Sequence, residues 1–279
     1  MKKRIYVDYA ATTPIKKQVL EEMYPFLTAD FANPSGTYTM ATESRMAIDS
    51  ARGKVADAIN GLRNEIYFTS GGSESDNWAI LGTALANSGK GRHIVTTKIE
   101  HHAVLHSCQY LEKLGFRITY LDVDSKGLVD IEQFEDAIRD DTILVSVMYA
   151  NNEVGTIQPI KRIGEICRKK DVLFHTDAVQ AMGNLPVDVQ ELNVDLLSMA
   201  AHKFYGPKGV GALYVKKGTK IDSYIHGGSQ ERGKRAGTYN TAGIVGMGKA
   251  IDMACGNLSN EYERLSGLRD RLIGGLLEV

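Results

Sequence analysis

Apolar positions along this chain fall into two alternating rhythms. Short runs rich in Ile, Val, Leu, Tyr and Thr recur at 65–69, 93–97, 117–122, 142–148, 172–176, 194–199 and 210–215. Their length and composition predict strands. Longer stretches between them predict helices at 15–27, 40–60, 74–88, 102–114, 131–139, 160–170 and 241–256. Strand and helix in alternation imply an α/β class, with a mostly parallel seven-stranded sheet between helices. Beyond residue 257 the rhythm changes. Leu258, Tyr262, Leu265, Leu268, Leu272 and Leu276 recur every three to four residues with charges between them. That predicts an amphipathic helix with one apolar stripe. The stripe is expected to be disordered, repacked or buried against another chain. The chain therefore divides into an N-terminal arm (1–14), a large body (15–256) and a terminal helix (257–279).

In open α/β sheets, ligands collect at the carboxyl ends of strands. Five predicted strand ends here carry apt chemistry. Thr69-Ser70-Gly71-Gly72-Ser73 is a strand, a tight turn and a helix start, whose free N–H groups suit a phosphate. The same residues also make an ordinary capped turn, with Glu74 and Asp76 favouring the helix dipole. Glu100-His101-His102 offers an imidazole that can stack on a flat ring or move a proton, or a plain histidine pair near a helix start. Adjacent histidines are poorly spaced for a metal on a helix, so no metal site is expected. Asn151-Asn152 can bond a phenolic oxygen or simply form a turn. Asp177 ends an apolar strand, where it can pair with a protonated ring nitrogen or cap a helix. Lys203 lies between an apolar run and Gly206-Pro207. A lysine partly desolvated there becomes a nucleophile toward an aldehyde, although most lysines are merely exposed. Five such ends together favour a site for pyridoxal phosphate (PLP).

Composition narrows the field further. A length of 279 residues with 43% hydrophobic and 24% charged positions fits one large soluble domain or one and a half. A net charge of -1 gives no bulk electrostatic reason to expect nucleic acid or an anionic membrane as partner. The basic start, Met1-Lys2-Lys3-Arg4, has no apolar segment of a secretory signal after it. No apolar run approaches the ~20 residues of a membrane span. Cys108, Cys167 and Cys255 are far apart, which argues against disulfides or zinc and fits a cytoplasmic location.

The ordered motifs resemble the NifS/IscS-like cysteine desulfurases, in the class-V aminotransferase group of fold-type I PLP enzymes. The resemblance rests on Tyr6 through Pro14, Asn33-Pro34-Ser35, the Ser70 to Asn77 turn, Glu100-His101 and Asn151-Asn152-Glu153. It continues in Asp177 to Gln180, His202-Lys203 with Gly206 to Gly209, and His226-Gly227-Gly228 through Glu231-Arg232-Gly233 to Ala236-Gly237-Thr238. It implies that Lys203 bonds the PLP aldehyde and then serves as a base. It implies that Asp177 pairs with the ring nitrogen, that Gln180 and Asn152 reach the ring hydroxyl region, and that His101 stacks on the ring and shuttles protons. Gly72, Ser73 and His202 are implied to hold the phosphate. Thr238 is implied to reach the cofactor of a neighbouring subunit in a homodimer. L-cysteine would yield L-alanine, and its sulfur would pass to a protein thiol, then to an acceptor or scaffold protein for iron–sulfur cluster assembly. A related selenocysteine lyase, or a non-catalytic dimerisation module, are the competing expectations.

The chain departs from that pattern in places. Ala200 stands where a phosphate-binding Ser or Thr is usual, Tyr38 and Ala41 where His and Gly are common, and Ser73 where Thr is common. Members of the family continue past residue 279 with most of a small domain, the persulfide-forming cysteine and a carboxylate-binding arginine. None of the three cysteines here matches that nucleophile, and each is expected to be a buried small apolar residue. The expectation is a fold-type I large domain whose small domain is largely absent, which binds PLP yet desulfurates cysteine poorly or not at all by itself.

Overall fold

The computed structural model describes residues 4–278; Met1, Lys2 and Lys3 of the basic start, and Val279, lie outside the described residues. Along the chain run α1 (Lys17–Thr28), α2 (Thr39–Asp57), β1 (Ile66–Thr69), α3 (Gly72–Asn77), α4 (Thr83–Ala86), β2 (His93–Thr97), α5 (His102–Lys113) and β3 (Arg117–Leu121). Then follow α6 (Ile131–Ala137), β4 (Thr142–Ser146), α7 (Ile160–Lys169), β5 (Leu173–Asp177), β6 (Leu196–Ala200), β7 (Gly211–Val215), α8 (Thr241–Cys255) and α9 (Leu258–Leu277). The seven strands form one sheet in the order β1-β7-β6-β5-β4-β2-β3. Strands β2 to β6 pair in parallel, and β7 runs against both β6 and β1. The mostly parallel seven-stranded sheet predicted above is therefore present.

Parallel sheets are covered on both faces, so their central strands read as unbroken apolar runs. Here β2, β4, β6 and β7 are buried along their whole length. Side chains alternate between two cores because a strand has period two. Val95, Val145 and Leu197 join Ile48, Ile163 and Met247 on one face. Their neighbours Ile94, Leu144 and Leu196 join Trp78, Val104 and Leu111 on the other. Helices α2 and α8 approach so closely that a Cβ on Gly248 would stand 2.7 Å from the Ala51 Cα, so that position needs glycine.

Two helices depart from expectation. The helix predicted at 74–88 begins at Gly72 and is interrupted by a π turn over Trp78–Gly82. Trp78 is fully buried and its Nε1 donates to the Asp222 carbonyl at 2.8 Å. The widened turn seats that indole, a tertiary demand that periodicity does not record. The terminal helix α9 corrects the expectation of disorder or repacking. It is helical throughout, with Tyr262, Leu265, Leu268, Leu272 and Leu276 between 44% and 66% exposed. Its first turns line a cleft with Gly183, Asn184 and Leu185. Local pairs such as Glu261 with Arg264 at 2.6 Å add only slightly to the helix.

Candidate active site

Because β7 opposes both β1 and β6, β1 points the same way as β2 to β6. The carboxyl ends of β1, β2, β4, β5 and β6 thus open on one edge of the sheet. A cavity of about 490 Å³ lies there, bounded by Gly72, Ser73, His101, Asn152, Asp177, Gln180, His202 and Lys203. These are all but one of the residues predicted from sequence. Clefts of about 690 and 610 Å³ lie elsewhere, but neither contains a histidine. Thr238 does not line the cavity and is exposed on the loop after Gly237.

Lys203 closes a short 3₁₀ turn, Ala201–Lys203, directly after β6. Its Nζ donates to the Ala10 and Ala11 carbonyls at 2.6 and 2.9 Å. Burial pulls its pKa below the usual lysine value, against the attraction of Asp177 and Asp8. The arm is fastened over this turn. Thr13 donates its N–H and hydroxyl to the His202 carbonyl at 3.0 and 2.9 Å, and accepts the Tyr205 N–H at 2.9 Å. His202 Nδ1 lies 3.1 Å from the Thr12 hydroxyl, and Gln180 donates to Ala10 at 3.1 Å. Burial, then Lys203 and Lys208, lower the His202 pKa, which favours a neutral ring.

Asp177 ends β5 and is buried. Its Oδ1 accepts the Val179 N–H at 2.9 Å, so it organises a turn as well as facing the cavity. Burial raises its carboxyl above the usual range, while the Val179 N–H, His101 and Lys203 act to lower it. His101 caps α5, with Nδ1 accepting the Ala103 N–H at 3.1 Å. That bond places the proton of the neutral ring on Nε2. Across the cavity, Asn151 shapes the turn that presents Asn152. Its amide donates to Ile99 at 3.0 Å and its Oδ1 accepts Glu153 and Val154 N–H at 2.9 and 3.0 Å.

At the β1–α3 turn, Gly71 has φ of 153°, a conformation open to glycine. A Cβ on Gly72 would stand 2.8 Å from Val179, so the bare backbone is what the cavity sees. Glu74 does serve this turn, accepting the Ser70 N–H at 2.7 Å and pairing with Arg235 at 2.8 Å. Asp76 does not. It is 1% exposed, lines the cavity, and its Oδ1 has no hydrogen-bond partner among the described residues. The sequence did hold that signal, since Asp76 lies one helical turn after Gly72 and shares its face. Glu100 is a second buried acid missed in the sequence reading.

Ala200 sits on the cavity floor, its Cβ 3.5 Å from where a Gly72 Cβ would stand. Cys108 and Cys167 are buried, Cys255 is partly buried, and none of the three lines the cavity. Burial pushes the Cys108 thiol up to about 12 and raises Cys167 and Cys255, so none is poised as a thiolate.

A sequence model of the family described as aminotransferase class-V matches residues 5–279. The chain is 62% identical to a protein named cysteine desulfurase IscS from Clostridium botulinum, over 99% of this chain and 70% of that one. It is 57% identical to a protein of the same name from Methanosarcina thermophila, over 99% and 69% of the two chains. Among solved structures, a NifS-like protein superposes with a TM-score of 0.97 at 44% identity, over 99% of this chain and 76% of that one. A structure titled SspA in complex with cysteine gives 0.87 at 45% identity, over 89% and 72%.

Proposed function

The chain belongs to the class-V aminotransferase family, and from that premise we propose that it is a PLP-dependent cysteine desulfurase whose cofactor site is the cavity at the five strand ends. The observation that carries this reading is the convergence of Lys203, Asp177, His101 and the Gly72-Ser73 helix start on that one space. The residues fit the cofactor. A buried acid faces an amine whose pKa burial has lowered, and the turn near Gly72 has no room for a side chain. PLP bound there supplies an electron sink for charge that develops on the amino acid's carbon.

The chain's own residues divide the remaining work. Lys203 Nζ would hold the aldehyde and serve as the base that moves a proton. The Ala10 and Ala11 carbonyls hold that amine toward the cavity. Asp177 keeps a ring nitrogen protonated. His101, which lines the cavity with its Nδ1 engaged by the Ala103 N–H, would stack on the ring and move a proton through Nε2. Asn152 and Gln180 reach the ring oxygen, and Gly72, Ser73 and His202 hold the phosphate. With Ala200 in place, one hydroxyl donor to that phosphate is missing. The substrate is L-cysteine, and its sulfur passes to a thiol other than Cys108, Cys167 or Cys255, none of which lines the cavity. An acceptor or scaffold protein then receives it.

The same reading makes the chain a homodimer, with Thr238 reaching the partner's phosphate. Its exposure outside the chain's own cavity supports this. We place the protein in the cytoplasm, consistent with three unpaired cysteines. The domain division is proposed on the same logic: an N-terminal arm, 1–14, whose Ala10, Ala11 and Thr13 fasten the Lys203 turn, a PLP-binding large domain, 15–256, and 257–279 as the start of a helix that leads toward a small domain.

Adding PLP to the full chain is expected to give a visible absorbance band, lost in Lys203→Ala. A band that survives that substitution overturns the assignment of Lys203. Sulfide release from cysteine, with and without an added small thiol, is expected only with the thiol.

A further inference from the structure

Glu100, in the turn between β2 and α5, is a buried acid with no part in the chemistry above. It immediately precedes His101 and is 5% exposed. Its Oε1 accepts the Thr97 hydroxyl at 2.7 Å and the Met148 N–H at 2.9 Å. The two donors lie on segments that lead to different walls of the cavity, and Met148 itself lines it. Thr97 ends β2 beneath the His101 turn, and Met148 leads from β4 into the turn that presents Asn152. Its Oε2 is buried and has no hydrogen-bond partner among the described residues. On its buried side it is flanked by the acids Asp76 from α3 and Asp177 from β5 and by the Cys108 thiol from α5, while Lys98, His102, Lys126 and Glu153 line the open cleft on its other side without bonding to it. An ionised carboxylate is unfavourable in such surroundings, because it loses water and gains no cation.

We propose, resting on the cofactor reading above, that Glu100 is a positioning residue: through Oε1 it ties the His101 turn to the Asn152 turn, and its ionisation strains that arrangement by burying an unpaired charge beside Asp76 and Asp177. Burial first, and Asp177 second, push its carboxyl up to about 8, against the two hydrogen bonds it accepts. The folded value lies above the ordinary carboxyl value of 4.5. The contribution of the neutral acid is therefore complete below that ordinary value and is lost as pH rises through about 8. Glutamine is the isostere of the neutral acid. It keeps an acceptor for Thr97 and Met148, presents a donor where Oε2 stands, and cannot ionise.

The test uses the full chain, with PLP as the probe and the visible band as the readout, from about pH 6 to about pH 9. Wild-type affinity is expected to fall about tenfold across the upper part of that range. Glu100→Gln should match the wild type within about threefold at low pH and lose the alkaline fall. Glu100→Ala should bind about tenfold more weakly at every pH. Infrared spectra of the cofactor-free chain supply a readout independent of binding. A protonated-carboxyl carbonyl component should be present at neutral pH, titrate with a midpoint near 8 and be missing from Glu100→Gln. The proposal is overturned if Glu100→Gln keeps the wild-type alkaline fall, if it binds as weakly as Glu100→Ala, or if no infrared component is lost. A wild-type chain that gives no visible band overturns the cofactor reading instead, and the infrared component then still reports the state of Glu100.

Discussion

Arg52 and Glu231 bury a cation and an anion against each other, whereas Asp76, Glu100 and Asp177 bury three acids with no arginine or lysine bonded to any of them among the described residues. In the first cluster every strong group is satisfied. Arg52 donates to both Glu231 oxygens at 2.8 and 2.7 Å and to the Ile66 carbonyl at 2.7 Å. Glu231 Oε2 also accepts the Phe68 N–H at 3.0 Å, and the guanidinium lies over the Phe68 ring at 4.6 Å. In the second cluster, one oxygen of Asp76 and one of Glu100 have no partner. The nearest imidazole, His175, is 3.7 Å from Asp76, bonded to Ser146 and Ser198, and driven by burial to about 3, so it supplies no positive charge. A fold that neutralises one buried charge so completely and leaves three acids unneutralised is using the two places differently. The paired cluster is structural, tying the loop before Thr238 to the sheet. In the unpaired one, burial raises all three carboxyls, and Asp177 is the one assigned above to an incoming ring nitrogen.

The comparison is broken most sharply from the structural side. Glu231→Ala leaves the Arg52 guanidinium buried and unpaired, with Arg52 8% and Glu231 2% exposed in the native chain. The expected cost is about 3–5 kcal/mol of unfolding free energy, read by urea denaturation. Replacing both residues by apolar ones of similar volume should recover most of it, because the pair's net contribution is small once both desolvation penalties vanish. A loss under about 1 kcal/mol for Glu231→Ala would mean that the cluster is not closed in solution and that the contrast with the acids is empty.

The next test acts on the unpaired side. Asp177→Asn keeps an acceptor for the Val179 N–H but removes the charge that a protonated ring nitrogen needs. PLP affinity is expected to weaken about 30-fold, the worth of a charge-assisted hydrogen bond of ~2 kcal/mol. Stability of the cofactor-free chain should move the other way. The Asp177 carboxyl is raised by burial above its ordinary 3.8, so its ionisation costs stability as pH rises through the folded value. The Asn variant has no such cost and should unfold no more easily than the wild type at neutral pH. Equal losses of stability and affinity would show Asp177 to be a structural residue like Glu231.

The length and β-rich composition of the short runs made the sheet legible, because strands covered on both faces bury successive residues such as Ile94 and Val95 in two different cores. The site was legible for a related reason. Its groups follow strand ends, and the carboxyl edge of a parallel sheet gathers those ends whatever the helices do. Charge compensation was not legible. Arg52 and Glu231 lie 179 positions apart, and no local pattern says which buried charge finds a partner. Asp76 shares the face of Gly72, yet it reads from sequence as one more acid in a helix's first turn. The π turn at Trp78–Gly82 and the exposed stripe of α9 were missed for the same reason, since each depends on what lies opposite it in space.

The smallest expected effect concerns the phosphate end, where the chain lacks a donor rather than a counter-charge. Ala200 is 1% exposed and its methyl faces the Gly72 backbone. Ala200→Ser adds a hydroxyl where the family commonly has one. In the cofactor-free chain that hydroxyl is buried without an assured acceptor, so the melting temperature should fall slightly, by the equivalent of ~1 kcal/mol at most. With PLP bound, the hydroxyl meets a phosphate, and affinity should rise about fivefold, again ~1 kcal/mol. The two signs must differ, because the same group is unpaired in one state and charge-bonded in the other. If the serine variant lost stability and gained no affinity, the phosphate would not lie against β6, and the cradle assigned to Gly72, Ser73 and His202 would have to move. If both quantities rose, the hydroxyl would have found a protein acceptor, and the Ala200 position would belong with the compensated region of the molecule instead of the open one.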